Sequence, residues 1–348
     1  MARKPTALAV ALTLCIVLGL AGSGALASPN GRAGGRLGSA QTLPGTPCPA
    51  FPADNVWNTP ITGLPVDSQS SEWLKNMAAS STNLHPDYGP GGGASSPYGI
   101  PWQITSAHPQ FVKVHFGYAS QSDKGPYPFS ASTPIEGGQH ASGDRHAIMV
   151  DPSTCVLYEL FDAHYRPNDG STAGSGAIWS LDSNMLRPAN WTSADAAGLP
   201  ILPGLVNYDE VMSGHIDHAI RFTTQTTDSK FIWPGRHQAG AVSNANYPPM
   251  GARFRLNASF HLPASKCAQP CQVVIQAMKT YGMILADNGS DWYFQGTTDS
   301  RWTFKMVDQL KQIPASAFQA VDESCLMVSP NSGQANQPGT PAYQHACG

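Results

Sequence analysis

The acidic and imidazole residues of this chain gather in one stretch. Pro134-Ile-Glu-Gly-Gly-Gln-His-Ala-Ser-Gly-Asp-Arg-His146 carries Glu136, His140, Asp144 and His146. Asp-Pro-Ser-Thr-Cys, a turn sequence, then leads on to Glu159 and Asp162. Neighbouring carboxyls push each other's pKa apart, so one keeps a proton while the other stays ionised. An imidazole beside them can orient the pair. Such a set suits general acid–base cleavage of a glycosidic bond. Glu136 is the expected proton donor, Asp144 or Asp162 the ionised partner, and His146 the orienting group. The gathering stands out because only 12% of the residues are charged. Each member alone also has an ordinary reading, as a turn cap or a hydrogen-bonded core histidine.

Two strands must position these groups. His146–Val150 and Val156–Ala163 flank the turn and predict a hairpin. Closed symmetrically about Ser153, it sets Asp144 opposite Asp162 and puts Asp144, His146, Tyr158 and Asp162 on one face. A slip of one residue brings His146 opposite Glu159 and dissolves the cluster. Arg145, Tyr158 and Glu159 are the expected substrate contacts here. A lyase variant would use His146 or Tyr158 as base, with Arg145 or Arg236 neutralising a uronate.

Three further places could bind substrate. Gly214-His-Ile-Asp-His-Ala-Ile-Arg-Phe-Thr223 puts His218 on the apolar face of a strand, where a structural role competes with binding. His215 and His218 have metal spacing only on a helix, and neither a metal nor another cofactor is expected. Trp233-Pro-Gly-Arg-His237 sets an aromatic ring beside Arg236 and His237, an arrangement suited to a sugar or carboxylate. Asp287 follows a well-formed helix at Asp-Asn-Gly, which is a turn signal first.

Strands are predicted over Gln110–Phe116, Ile216–Thr224, Lys230–Trp233 and Arg253–Ser259. A second hairpin is predicted from Met283–Ala286 and Trp292–Gln295. Helices are expected at Ser71–Ala78, Ser193–Gly198, Tyr208–Ser213, Cys271–Tyr281 and Thr303–Gln312. Thr192 or Ser193 would cap the second of these, with Asp195 in its first turn. Gly91-Gly-Gly93 reads as a mobile loop. The fold class is therefore β-dominated, a β-sandwich or jelly-roll-like body with a few peripheral helices in a single domain.

The 348 residues include 34 Gly and 30 Pro, a composition of many turns. The net charge of -3 excludes a basic nucleic-acid or anionic-lipid binder. Arg3 and Lys4, the apolar run Ala7–Ala21 and Ala25-Leu-Ala27 form a secretory signal peptide over residues 1–27. Residues 28–47 read as a flexible leader, 48–327 as a β-rich domain expected to be catalytic, and 328–348 as a loop-like tail. Once the signal and Cys15 are removed, six cysteines remain, an even number that reads as disulfides in an exported chain. Cys267–Cys271, Cys325–Cys347 and Cys48–Cys155 are the expected pairs.

Several stretches resemble a group of secreted bacterial proteins of unassigned activity. They include Phe51-Pro-Ala-Asp-Asn-Val-Trp-Asn-Thr-Pro60, Gly143-Asp-Arg-His146 and Tyr158-Glu-Leu-Phe-Asp-Ala163. Trp191-Thr-Ser-Ala-Asp-Ala-Ala-Gly-Leu-Pro-Ile-Leu-Pro-Gly204, Pro248-Pro-Met-Gly-Ala-Arg-Phe-Arg-Leu256 and Tyr281-Gly-Met-Ile-Leu-Ala-Asp-Asn-Gly-Ser290 extend the resemblance over nearly all of 48–322. It implies a single unit and supplies no reaction. The expectation is a secreted, extracellular, monomeric hydrolase acting on a polysaccharide or oligosaccharide, with no nucleic-acid partner and no membrane contact after signal cleavage. The alternative is a non-catalytic glycan-binding or cell-envelope protein.

Overall fold

The computed structural model describes residues 41–91, 96–168 and 170–348. The expected signal peptide, residues 28–40 of the expected leader, and Gly92 and Gly93 lie outside them. Short apolar runs broken by Gly and Pro yield twelve short strands among the described residues. They are β1 (His85–Asp87), β2 (Trp102–Ile104), β3 (Val114–Phe116), β4 (Ala147–Asp151), β5 (Val156–Phe161) and β6 (Ser171–Ala173). They continue as β7 (Ser175–Ser180), β8 (Ile220–Thr224), β9 (Arg253–Leu256), β10 (Met283–Asn288), β11 (Tyr293–Gln295) and β12 (Phe318–Val321). The helices are α1 (Ser70–Asn76), α2 (Tyr208–Ser213), α3 (Gln269–Thr280), α4 (Phe304–Leu310) and α5 (Pro341–Cys347).

The strands form a six-stranded sheet ordered β1-β11-β8-β10-β9-β12, a four-stranded sheet ordered β2-β4-β5-β7 and a β3-β6 pair. Both larger sheets are mixed: β8/β10 and β2/β4 run parallel, while β4/β5 and β9/β12 are antiparallel. The described residues close no barrel. Ile220, Phe222, Phe254 and Leu285 of the large sheet share one core with Ile148, Val150, Leu157 and Trp179 of the smaller. The other face of β4 and β5 presents Met149, Tyr158 and Leu160 to a second core with Tyr127 and Phe129.

The β4/β5 hairpin exists, but its register differs from the expected one. Ala147 faces Leu160 and Ile148 faces Glu159. The reason is in the turn. Asp151 caps it by accepting from Ser153 N (2.9 Å) and the Thr154 hydroxyl (2.9 Å), and Cys155 takes a left-handed φ of 50°. The turn closes between residues 153 and 154, which moves every partner by one. Tyr158 therefore faces away from the row of Ile148 and Glu159.

β10 and β11 are not a hairpin. Each pairs with β8, on opposite sides, because the apolar β8 fills the place between them. Residues 193–198 form turns rather than a helix. Lys230–Trp233 contributes only a bridge from Phe231 to Met250. The end of the expected leader is docked, with Leu43 buried and Thr42 bridged to Pro49. The tail is docked too: Val56 N donates to Gly333 O (2.7 Å), Ala335 N to Asp54 O (2.8 Å), and α5 follows. Residues 41–348 fall within one compact unit. Among the described residues no helix is long and apolar enough to cross a membrane.

All three expected cysteine pairs form disulfides. Cys48–Cys155 closes a loop with a sequence separation of 107. The loss of so long a closure is expected to cost about 4–5 kcal/mol. Urea titration of the Cys48→Ser/Cys155→Ser chain against the parent measures it; an unchanged midpoint and slope would contradict the assignment of this bridge as a major constraint.

Candidate functional site

The loop entering β4 is held by Arg145. This residue has a left-handed φ of 51° and is buried. Its guanidinium donates to the carbonyls of Ala163, Gln139 and Ala141. That brace fixes the Glu136 loop against the strand, where Glu136 N donates to His146 O (3.0 Å). The two side chains then meet, with His146 Nδ1 2.5 Å from Glu136 Oε2. His146 Nε2 lies 3.1 Å from the Ala194 carbonyl, so both ring nitrogens have acceptors and the imidazolium is satisfied.

The large sheet supplies the second half. β8 is buried along its whole length, so Arg221 cannot reach water and must find an anion. It donates to Asp195 from Nε (2.8 Å) and from an Nη (2.7 Å), a bidentate pair. Asp195 is delivered by the 192–198 turn. The Ser193 hydroxyl accepts from Asp195 N (2.9 Å), and Ala197 N donates to Ala286 O (2.8 Å), which ties the turn to β10. Gly198 is required there: its φ is 68°, and an added Cβ would lie 2.3 Å from the Trp191 carbonyl.

β10 carries Asp287 past a bulge. The ladder with β8 shifts register between Leu285 and Asp287. Plain alternation would place Asp287 in the buried row of Met283 and Leu285, and the extra residue breaks that row. Asp287 Oδ2 stands 3.9 Å from Arg221, and a quarter of its side chain remains open.

Two cations thus meet more carboxyls than they can neutralise. Burial opposes charge on His146, yet the Glu136 carboxylate overrides it and pushes the pKa up to about 9. Burial would raise Glu136, but contact with His146 outweighs it and holds the group below its ordinary range. Asp287 is pushed up to about 8 by burial and then by Asp195. Burial also raises Asp87, and it lifts Glu159 to about 7 although Ile201 N and Leu202 N donate to its carboxylate. His146 and Glu136 therefore form an ion pair, while burial and Asp195 favour the protonated form of Asp287.

Asp144, Asp195, His237 and Asp287 line one cleft of about 460 Å³, with Tyr118 and Phe161 among its other walls. His146 lies directly behind it, bonded to the lining residue Ala194. Of the expected catalytic set, Asp144 is in the cleft and Glu136–His146 supports it. Asp162 is not among its walls and pairs with His164 at 2.9 Å. Of the expected substrate contacts, only His237 and Asp287 line it. Tyr158 faces the second core against Tyr127. Glu159 is fully buried at the 3-10 turn Leu202–Gly204. His218 lies between Glu210 (3.1 Å) and the Ala219 carbonyl (2.8 Å), a core histidine. Trp233 Nε1 donates to Ser332 O (2.8 Å), and Arg236 donates to Arg187 O, Pro330 O and Asn331 Oδ1; both secure the tail. Arg221 and Asp195 were outside the expected set. The sign of them was an arginine inside Ile-Arg-Phe, an apolar strand.

Among the described residues no three His, Cys, Asp or Glu side chains are grouped to hold a metal ion. Comparison with family models, curated proteins and solved structures gives no match, so the functional reading rests on geometry.

These pKa shifts predict a pH profile of stability. Glu159, Asp287 and His146 each have a folded pKa above the unfolded one. Their contributions are present at low pH and are lost as pH rises through about 7, 8 and 9 respectively. Glu136 works in reverse: its contribution is present above its ordinary 4.5 and is lost in acid. Melting temperature is thus expected to peak near about pH 5 and to fall steadily towards pH 9. A flat profile from pH 5 to 9 would contradict these assignments.

Proposed function

We propose that the protein is an exported hydrolase of a carbohydrate polymer, cutting glycosidic bonds by general acid–base catalysis in the Asp144–Asp287 cleft. The observation that carries this reading is that Asp144, in the loop entering β4, and Asp287, on β10, line one cleft beside the His146–Glu136 and Arg221–Asp195 ion pairs. Asp287 gives its proton to the leaving oxygen as the glycosidic C–O bond breaks. Asp144 takes a proton from the attacking water, whose oxygen bonds to the anomeric carbon. Burial and the Asp195 carboxylate hold the proton on Asp287 against the pull of Arg221 and His146. Glu136, the donor expected from sequence, does not suit that task because His146 holds it ionised.

Tyr118, 57% exposed, offers a ring face for a sugar. Five of the eight tryptophans contribute nothing to such stacking, since Trp57, Trp73, Trp179, Trp292 and Trp302 are core residues. The lyase variant loses support, because Arg145 and Arg236 are spent on backbone carbonyls. Three disulfides favour an oxidising, extracellular compartment. The shared core of the two sheets favours a sandwich-like body. Resemblance to secreted bacterial proteins belongs with this reading. The stretches that carry it supply Asp144, His146, Asp195 and Asp287.

The test is release of reducing ends from a panel of polysaccharides between pH 5 and 8. Release by the parent chain and not by Asp287→Asn is the expected result. Binding without release across the panel would turn the reading to the non-catalytic glycan binder.

A further inference from the structure

One face of the large sheet stays polar beyond the Asp144–Asp287 cleft. β1 pairs with β11 so that Asp87 stands beside Gln295. β11 pairs with β8 so that Tyr293 and Phe294 stand beside Thr223 and Phe222, and the same antiparallel register carries Gln295 on to Arg221. Phe222 and Phe294 point into the core. Alternation therefore puts Asp87, Gln295 and Arg221 in one row on the opposite face. The backbones of Asp87 and Arg221 are two strand spacings apart, about 10 Å.

Gln295 is the unexpected member of that row. It is 5% exposed, and its Oε1, sealed from solvent, accepts no hydrogen bond. A buried acceptor left without a donor costs the fold stability. Its neighbour Asp87 is only half-buried, so the row opens to solvent on that side. The Glu136 charge reaches Asp87 as well as His146, which sets the pair beside the Glu136 loop.

The partner that Oε1 lacks must be a donor, and Asp87 beside it can accept, or donate when protonated. A pair of hydroxyls satisfies both side chains, because a hydroxyl donates and accepts. The next row along the same two strands supplies an apolar surface: the rings of His85 and Tyr293, both half-buried, stack at 4.0 Å. A few polar groups converging beside aromatic rings suit a ring-shaped polyol.

We infer that Asp87 and Gln295 form a subsite for a sugar unit removed from the bond that is cut, holding two of its hydroxyls beside the His85–Tyr293 pair. The terminal torsion of a glutamine is soft, so Oε1 turns to meet a hydroxyl that enters past Asp87. The inference rests on the hydrolase reading for turnover.

Gln295→Met and Asp87→Asn in the full exported chain test it, with oligomers up to the hexamer of the polysaccharide that the parent cuts. Gln295→Met keeps the length of the side chain and removes the orphaned acceptor, so its melting temperature should not fall. In both variants kcat/KM on the hexamer should drop about tenfold, through KM, while the shortest oligomer that the parent cuts is turned over as before. Equal losses on short and long oligomers, or an unchanged KM for the hexamer in either variant, overturn the inference and leave the hydrolase standing. Should Gln295→Met fail to fold, Asp87→Asn decides alone. If no polysaccharide is cut, the hydrolase reading fails, and calorimetric titration with the β-linked glucose hexamer decides the subsite. Binding by the parent that both variants weaken upholds it; no binding, or binding that either variant leaves unchanged, rejects it.

Discussion

Asp287→Asn is expected to lower kcat by about 10²–10⁴ and, at pH 8 and above, to make the fold more stable. The amide imitates the protonated acid in shape and in neutrality. It keeps an oxygen for Asn288 N, which donates to Asp287 Oδ1 at 2.7 Å. It cannot give up a proton to a leaving group. It also cannot ionise beside Asp195 in a covered site. Below the ordinary carboxyl value of 3.8 the parent is protonated both folded and unfolded, so the two chains should match there. Above it, the unfolded parent loses the proton while the folded parent keeps it until about pH 8, and stability drains away. The variant should gain about 1–3 kcal/mol by pH 8.5, or roughly 2–4 °C for each kcal/mol. Melts at pH 4 and 8.5, with kcat on the cleaved polymer, measure both halves. A lower melting temperature for the variant at pH 8.5, or undiminished turnover, would remove Asp287 from its role.

Arg221→Met is expected to cost the fold about 3–5 kcal/mol. It leaves Asp195, buried, with no counter-charge. The paired change Arg221→Met/Asp195→Leu should recover most of the loss, because an apolar pair of similar volume avoids the cost of stranding one charge. Urea denaturation of the parent, both single variants and the double variant at pH 7 gives the coupling energy. A double variant no better than Arg221→Met would show that the pair is not the source of the cost.

The sequence makes the β4/β5 hairpin readable through Asp-Pro-Ser-Thr-Cys, and α3 through its apolar spacing and Gly282. It makes all three disulfides readable through the cysteine count. What it hides is register. The left-handed turn at Cys155 shifts the hairpin by one residue and parts Tyr158 from His146. Long-range assembly is hidden too. β11 sits beside β8 rather than beside β10, and a bulge at Ala286 decides where Asp287 points. Arginines deceive in both directions. Arg145 and Arg236 look like substrate ligands by composition, yet each answers a local surplus of carbonyls. Arg221 looks unremarkable, yet a charge inside an apolar strand obliges a buried carboxylate to come to it.

The docked tail sets the order in which the chain can mature. Val56 N, Ala335 N and the side chains of Trp233 and Arg236 find their partners only once residues 330–335 are present. A nascent chain emerging in sequence cannot complete the body around Trp57 before residues 330–335 have been made. The Cys325–Cys347 disulfide then closes the tail that carries these partners.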